Sequence, residues 1–127
     1  MDSEFANVNW LAVIVGTIVA YGLGMLWFSP RMFGTKWSTG SHNIQPPASP
    51  PMGAMIVQFL ATLFLALVVG ITATSDALIT ALLAIFAVAA WILASGIFSQ
   101  KSGGAAMIDA GYVVASGAIM IAAQGIF

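Results

Sequence analysis

The chain has no cysteine, a single histidine, and only three basic and four acidic side chains among its 127 residues. Without cysteine there can be no disulfides, thiolate metal sites or cysteine nucleophiles. Charged residues make up 6% of the chain and hydrophobic residues 61%, whereas a soluble domain carries roughly a quarter charged residues to keep its surface wet. A chain this poor in charge has almost nothing to turn towards water, so lipid or partner proteins must solvate it. The mean hydropathy of +1.03 agrees. The formal net charge of −1 is too small to suit a nucleic-acid partner.

The one histidine, His42, lies in a polar segment and reads as simply solvated. None lies in the apolar runs, which argues against histidine-ligated haem or chlorophyll held by this chain alone. The sequence contains no His/Glu cluster for zinc or di-iron, no Ser-His-Asp set and no glycine-rich phosphate loop. The expectation is a protein that is not an enzyme and holds no cofactor and no metal.

Four apolar runs are present, each long enough for the roughly 20 helical residues that cross a hydrocarbon core. They cover about residues 9–28, 52–73, 77–98 and 104–127. Transmembrane β-strands would be half as long and would alternate polar with apolar, so the fold class is all-α: a polytopic membrane protein with four antiparallel helices. The first run stops at Ser29-Pro30, and Ser75 or Asp76 is a plausible N-cap for the third. Turns around Thr74-Ser75-Asp76 and Ser99 to Gly103 are tight. The connection 29–51 is the long one. Its aromatic-basic half (Arg31, Met32, Phe33, Lys36, Trp37) is expected in the headgroup zone, and its half with Pro46, Pro47, Pro50 and Pro51 is expected to form a surface strap.

Met1 to Phe5 carries Asp2 and Glu4 where a secretory signal carries Lys or Arg, so the first run reads as a retained helix. Arg31, Lys36 and Lys101 fall on one side of a four-span chain, and Asp2, Glu4 and Asp76 on the other. The positive-inside rule then puts the first and third loops in the cytoplasm and both termini outside.

Asp109 is the only charged side chain within the apolar runs. Ionised groups at the bilayer centre cost about 2.5–3.5 kcal/mol on insertion scales, which makes such a residue a functional candidate. It lies near the start of the last run, where a helix N-terminus favours a carboxylate and where Arg31, Lys36 or Lys101 can approach it. As a protonatable or cation-binding group it would work with Tyr112, Ser116 or Gln58. Small residues recur every fourth position at Ala12, Gly16, Ala20 and Gly24, again at Thr62, Ala66 and Gly70, and as Gly111 with Ala115 and Ala118 with Ala122. Such stripes let helices approach closely, within the bundle or against a partner. Trp10, Trp27, Phe28 and Trp37, with Arg31 and Lys36, read as interfacial anchors. Trp91 lies deeper, as a large packing residue or as part of a ligand groove.

Leu26-Trp27-Phe28-Ser29-Pro30, Phe33-Gly34-Thr35-Lys36-Trp37 and Ile108-Asp109-Ala110-Gly111-Tyr112 together resemble the four-helix membrane proteins of bacteria grouped as domain of unknown function seventeen-sixty-one. That family typically has tyrosine where Phe28 stands, places its lysine one position earlier than Lys36, and accepts Asn or Asp at the position of Asp109. The resemblance implies a four-span inner-membrane protein and supplies no activity or ligand. The expected function is a non-catalytic integral membrane subunit, packing through small-residue helix faces into a larger complex or a homo-oligomer. The alternatives are an oligomeric small-solute channel or transporter, and a module binding lipid, quinone or pigment.

Overall fold

Six helices and no strand make up the described residues, 2–127, of the computed structural model. They are α1 (Asp2–Phe5), α2 (Trp10–Trp27), α3 (Gly34–Gly40), α4 (Met52–Ala73), α5 (Leu78–Phe98) and α6 (Gly103–Ile126). Helices α2, α4, α5 and α6 contain 18, 22, 21 and 24 residues, and each includes an 18-residue stretch with mean hydropathy 1.9, 2.5, 2.5 and 1.7 respectively. At 1.5 Å of rise per residue they are about 27–36 Å long, which matches a hydrocarbon core of about 30 Å. Their outward faces carry exposed Leu11, Ile14, Ile18, Leu83 and Phe86, a surface that lipid solvates and water does not. The chain is all-α, with four helices able to cross a membrane.

The helix ends follow from local chemistry. The Asn9 side chain accepts the backbone N–H of Ala12 at 3.1 Å and starts α2, which stops just before Ser29-Pro30 because proline has no N–H to continue the ladder. Ser102 starts α6 in the same way, through the Ala105 N–H at 3.1 Å. Helix α4 ends in a Schellman turn: Ala77 N–H reaches Thr72 O at 2.9 Å and Asp76 N–H reaches Ala73 O at 3.3 Å, with Asp76 in the left-handed region at φ 53°. This corrects the expected N-cap. Asp76 closes α4, and Ala77 precedes α5 without a side-chain cap. Helix α5 closes identically, with Gln100 at φ 64° and Lys101 N–H on Gly96 O at 3.0 Å.

Helix α6 is the centre of the bundle, with half of its apolar window buried. Helix α2 packs antiparallel to it: a Cβ on Gly16 would meet the Met120 backbone at 3.4 Å, and Gly24 lies against the Tyr112 ring. Helix α5 packs on another side, where Gly117 leaves room for Ile85 and Gly96 for Ala106. Helix α4 runs parallel to α6 and touches α2, α5 and α6. The core joins Val13, Ala20, Ala66, Val69, Ala81, Ile85, Ala89, Val113 and Met120. Nearly all are small or branched, as close helix approach in lipid requires.

The connection between the first two spans is not one long loop, because it contains α3. That helix docks on the N-terminal end of α6 rather than lying free among headgroups. Ser102 N–H donates to Gly40 O at 2.8 Å, and Gly40 is pressed so tightly on Ser102 and Ala105 that a Cβ has no room. His42, expected to be merely solvated, is exposed but donates from Nε2 to Ser99 O at 2.8 Å, joining the first loop to the third. Residues 42–51 then run exposed over the surface to α4.

Candidate functional site

Asp109 stands six residues after Gly103, about 9 Å along the helix axis. Two donors reach it from outside α6. Trp37 Nε1 donates to Oδ1 at 2.8 Å, and Lys101 Nζ lies 2.8 Å from Oδ2. The Lys101 ammonium also sits 5.3 Å from the Trp37 ring centroid, within cation–π range. Carboxylate, ammonium and indole therefore form a closed triangle that ties the first loop to the last helix. The side chains of Lys101 and Asp109 are 24% and 16% exposed, so the pair is shielded but not sealed. Of the three cations that the sequence brought near Asp109, Lys101 is its partner, while Arg31 and Lys36 stay exposed.

Around the triangle lies an aromatic cluster. Phe28 meets the rings of Trp37 and Tyr112 edge-on, each at 5.5 Å, and Trp27 packs 4.8 Å from Phe33. Trp27 Nε1 donates to Ile108 O at 3.0 Å. Trp27 and Trp37 therefore have defined partners on α6 beyond any role as interfacial anchors. Trp10, at the other end of α2, is exposed and stacks on Phe5 at 6.4 Å.

The aromatic cluster, α2, α4 and α6 enclose a groove of about 540 Å³, whose wall includes Tyr21, Phe28, Trp37, Gln58, Asp109 and Tyr112. The three residues singled out as a polar intramembrane site, Asp109, Tyr112 and Gln58, thus line one cavity. Met25, Met55, Ile92 and Val113 supply its apolar surface. Its size falls within the 300–1,000 Å³ of small-molecule sites, which are mostly apolar with a few placed polar groups. A second groove of about 420 Å³ lies between α4, α5 and α6 and shares Gln58, Ile92, Tyr112 and Val113 with the first. Ser116 lines this second groove, and its buried Oγ has no hydrogen-bond partner.

The small-residue stripe of α2 is used inside the chain. Ala12, Gly16 and Ala20 are buried, and Gly24 accommodates the Tyr112 hydroxyl, which donates to Ala20 O at 2.7 Å. Thr62, Ala66 and Gly70 are buried likewise. Gly111 faces the Trp27 ring, a Cβ there meeting it at 3.4 Å, and Ala115 is half-buried. Trp91 departs from both readings given to it. Its side chain is 78% exposed, pointing away from the bundle, and it lines neither groove.

Sequence reasoning counted Tyr21 only as a scattered polar group and gave it no site role, whereas its hydroxyl donates to Met55 O at 3.0 Å and its ring meets Phe59 at 5.6 Å. Sequence reasoning also passed over Phe28 as a groove wall. Two tyrosines, one on α2 and one on α6, were the available signal, since each needs a partner in lipid. Among the described residues no three His, Asp or Glu side chains come together, so the site rests on one carboxylate.

A family model described as protein of unknown function (DUF1761) matches residues 11–125. The chain belongs to this family. The match takes in the whole groove, including Tyr21, Trp37 and Asp109, and also Lys101, the ion-pair partner of Asp109. No curated protein and no solved structure matches the chain.

Proposed function

We propose that this DUF1761 protein is a non-catalytic membrane module that holds a small amphiphile in the groove between α2, α4 and α6. The observation carrying this reading is a groove of about 540 Å³ that gathers Asp109, Tyr112, Tyr21 and Gln58 among apolar walls. In hydrocarbon, polar side chains are costly to keep at a cavity wall. The polar end of a ligand belongs beside the Asp109–Lys101–Trp37 triangle, near the loops, and its apolar body along Met25 and Met55.

Ala54 lines the groove and is exposed, so Ala54→Trp fills it without disturbing the triangle. Native mass spectrometry from mild detergent is expected to find a small-molecule adduct on the wild-type chain that Ala54→Trp loses. Ala87→Trp, on the exposed face of α5, is expected to keep it. An adduct unaffected by Ala54→Trp, or none on either chain, rejects the reading.

A second reading is a membrane subunit in a homo-oligomer or larger complex, and Trp91 favours it. A large indole 78% exposed at hydrocarbon depth on α5 is available to a neighbouring protein. The stripes of α2 and α4 are spent internally while Ala118 and Ala122 on α6 are exposed, so this association would rest on the Trp91 face, with the Ala118–Ala122 face also open. The same spectra test it: oligomer peaks that Trp91→Leu abolishes support association, and monomer alone counts against it.

We also place the end bearing Arg31, Lys36 and Lys101 in the cytoplasm of a bacterial inner membrane, on the strength of the positive-inside rule.

A further inference from the structure

We infer that the groove selects a hydrophobic organic ammonium ion, with Asp109 as its counter-ion and Lys101 as a tethered ammonium that the ligand displaces. This rests on the groove reading above and names the chemistry of its occupant.

The hydrogen-bond inventory of the wall makes the first argument. Its donors are committed. Tyr21 O–H is given to Met55 O at 3.0 Å, Tyr112 O–H to Ala20 O at 2.7 Å and Trp37 N–H to Asp109 at 2.8 Å. Thr62 donates its own proton to Gln58 O at 2.7 Å. Its lone pairs therefore accept from Gln58 Nε2 at 3.2 Å, which fixes the amide with Oε1 as the end free to accept. What the wall offers a ligand is acceptors: the carboxylate, an amide oxygen and two phenol oxygens. A carbonyl-bearing ligand such as a quinone would find one spare amide N–H at best, and an anion would face Asp109. A cation or a strong donor is what this wall complements.

The second argument is the aromatic lining. Four aromatic residues, Tyr21, Phe28, Trp37 and Tyr112, share the groove with the carboxylate, and ring faces attract alkylated ammonium groups that hydrocarbon otherwise rejects. Met25, Met55, Ile92 and Val113 suit the apolar body of such an ion.

The third argument is that Asp109, a residue of the groove wall, already pairs with an ammonium that approaches it from outside that wall. Lys101 Nζ lies 2.8 Å from Asp109 Oδ2 and 5.3 Å from the Trp37 centroid, the two contacts an alkylammonium ligand would make. Lys101 belongs to the turn before α6 and is 24% exposed, so its chain can swing towards the headgroups and leave the position to another cation. Asp109 then keeps the Trp37 N–H. Lys36, packed near Gly104, and Arg31 are exposed and, like Lys101, absent from the groove wall, so no basic side chain lines the groove beside the carboxylate.

Equilibrium dialysis of the full chain in phosphatidylcholine nanodiscs tests this with three probes of similar bulk: tetraphenylphosphonium, tetraphenylborate and triphenylphosphine oxide. The cation alone is expected to bind above the level of empty nanodiscs. Lys101→Met is expected to tighten it by about tenfold, and Asp109→Asn to weaken it by about tenfold. Misfolding cannot mimic opposite shifts in two variants of one ion pair. Equal binding of the phosphine oxide, unchanged by Asp109→Asn, overturns the cation inference and leaves the groove reading standing. No binding of any probe, even to Lys101→Met, also overturns it, and the Ala54→Trp measurement then decides the groove reading separately.

Discussion

The Tyr112 hydroxyl lies 2.7 Å from the point where a Cβ on Gly24 would stand, and that hydroxyl is bonded to Ala20 O inside the helix pair. A methyl group there must push the ring aside and break a buried hydrogen bond. Gly24→Ala is therefore expected to destabilise the protein by about 1–3 kcal/mol, lowering its thermal midpoint in detergent as followed by circular dichroism. Gly22, two residues away, meets nothing within 4 Å. Gly22→Ala should be neutral or stabilising by about 0.5–1 kcal/mol. Equal midpoints for the two variants would contradict this packing. At this scale the sequence was informative about which residues matter and silent on pairing. Asp109 stood out as a lone charge in apolar sequence, and Tyr112 as its neighbour on α6. That Lys101 rather than Arg31 or Lys36 meets Asp109 depends on how the turn before α6 folds back, and no spacing rule encodes that. Trp91 was misjudged because a deep position along a helix says nothing about which way the side chain faces.

Between α5 and α6 the Schellman turn puts Gln100 at φ 64°, a region costly for a side chain with a Cβ and natural to glycine. Gln100→Gly is expected to raise stability by about 0.5–1 kcal/mol, read from the same melting curves; a loss of that size would show that the Gln100 side chain contributes contacts worth more than the strain. The spans themselves were legible, because each is a long apolar run bounded by polar, proline or glycine residues. Helix α3 was not. Seven residues of mixed polarity, Gly34–Gly40, carry no apolar period, and the helix is held by docking on α6 through Gly40, Trp37 and the His42–Ser99 hydrogen bond. Asp76 was misread for a related reason: a polar residue between two helices can cap the second or close the first, and here the backbone turn of α4 takes it.

Across the whole molecule, α6 is the post against which α2 and α5 pack, while α4 leaves grooves on both of its sides. The small-residue stripes foretold close packing but not its destination, since lipid-embedded helices use the same pattern within a chain and between chains. Only the assembled bundle shows that α2 spends its stripe on α6. If loop one faces the cytoplasm, as proposed, a cysteine at exposed Asn43 should react with a membrane-impermeant maleimide only after the cells are opened. Labelling of intact cells would reverse the orientation. The central claim, that the groove between α2, α4 and α6 is a binding site, is tested most directly by mapping where a photoactivatable alkyl amphiphile attaches in native membranes. The account predicts adducts concentrated on the groove residues Met25, Met55 and Val113 and suppressed by Ala54→Trp. Adducts spread evenly over the lipid-facing residues, Trp91 and Phe86 included, and indifferent to Ala54→Trp would contradict it.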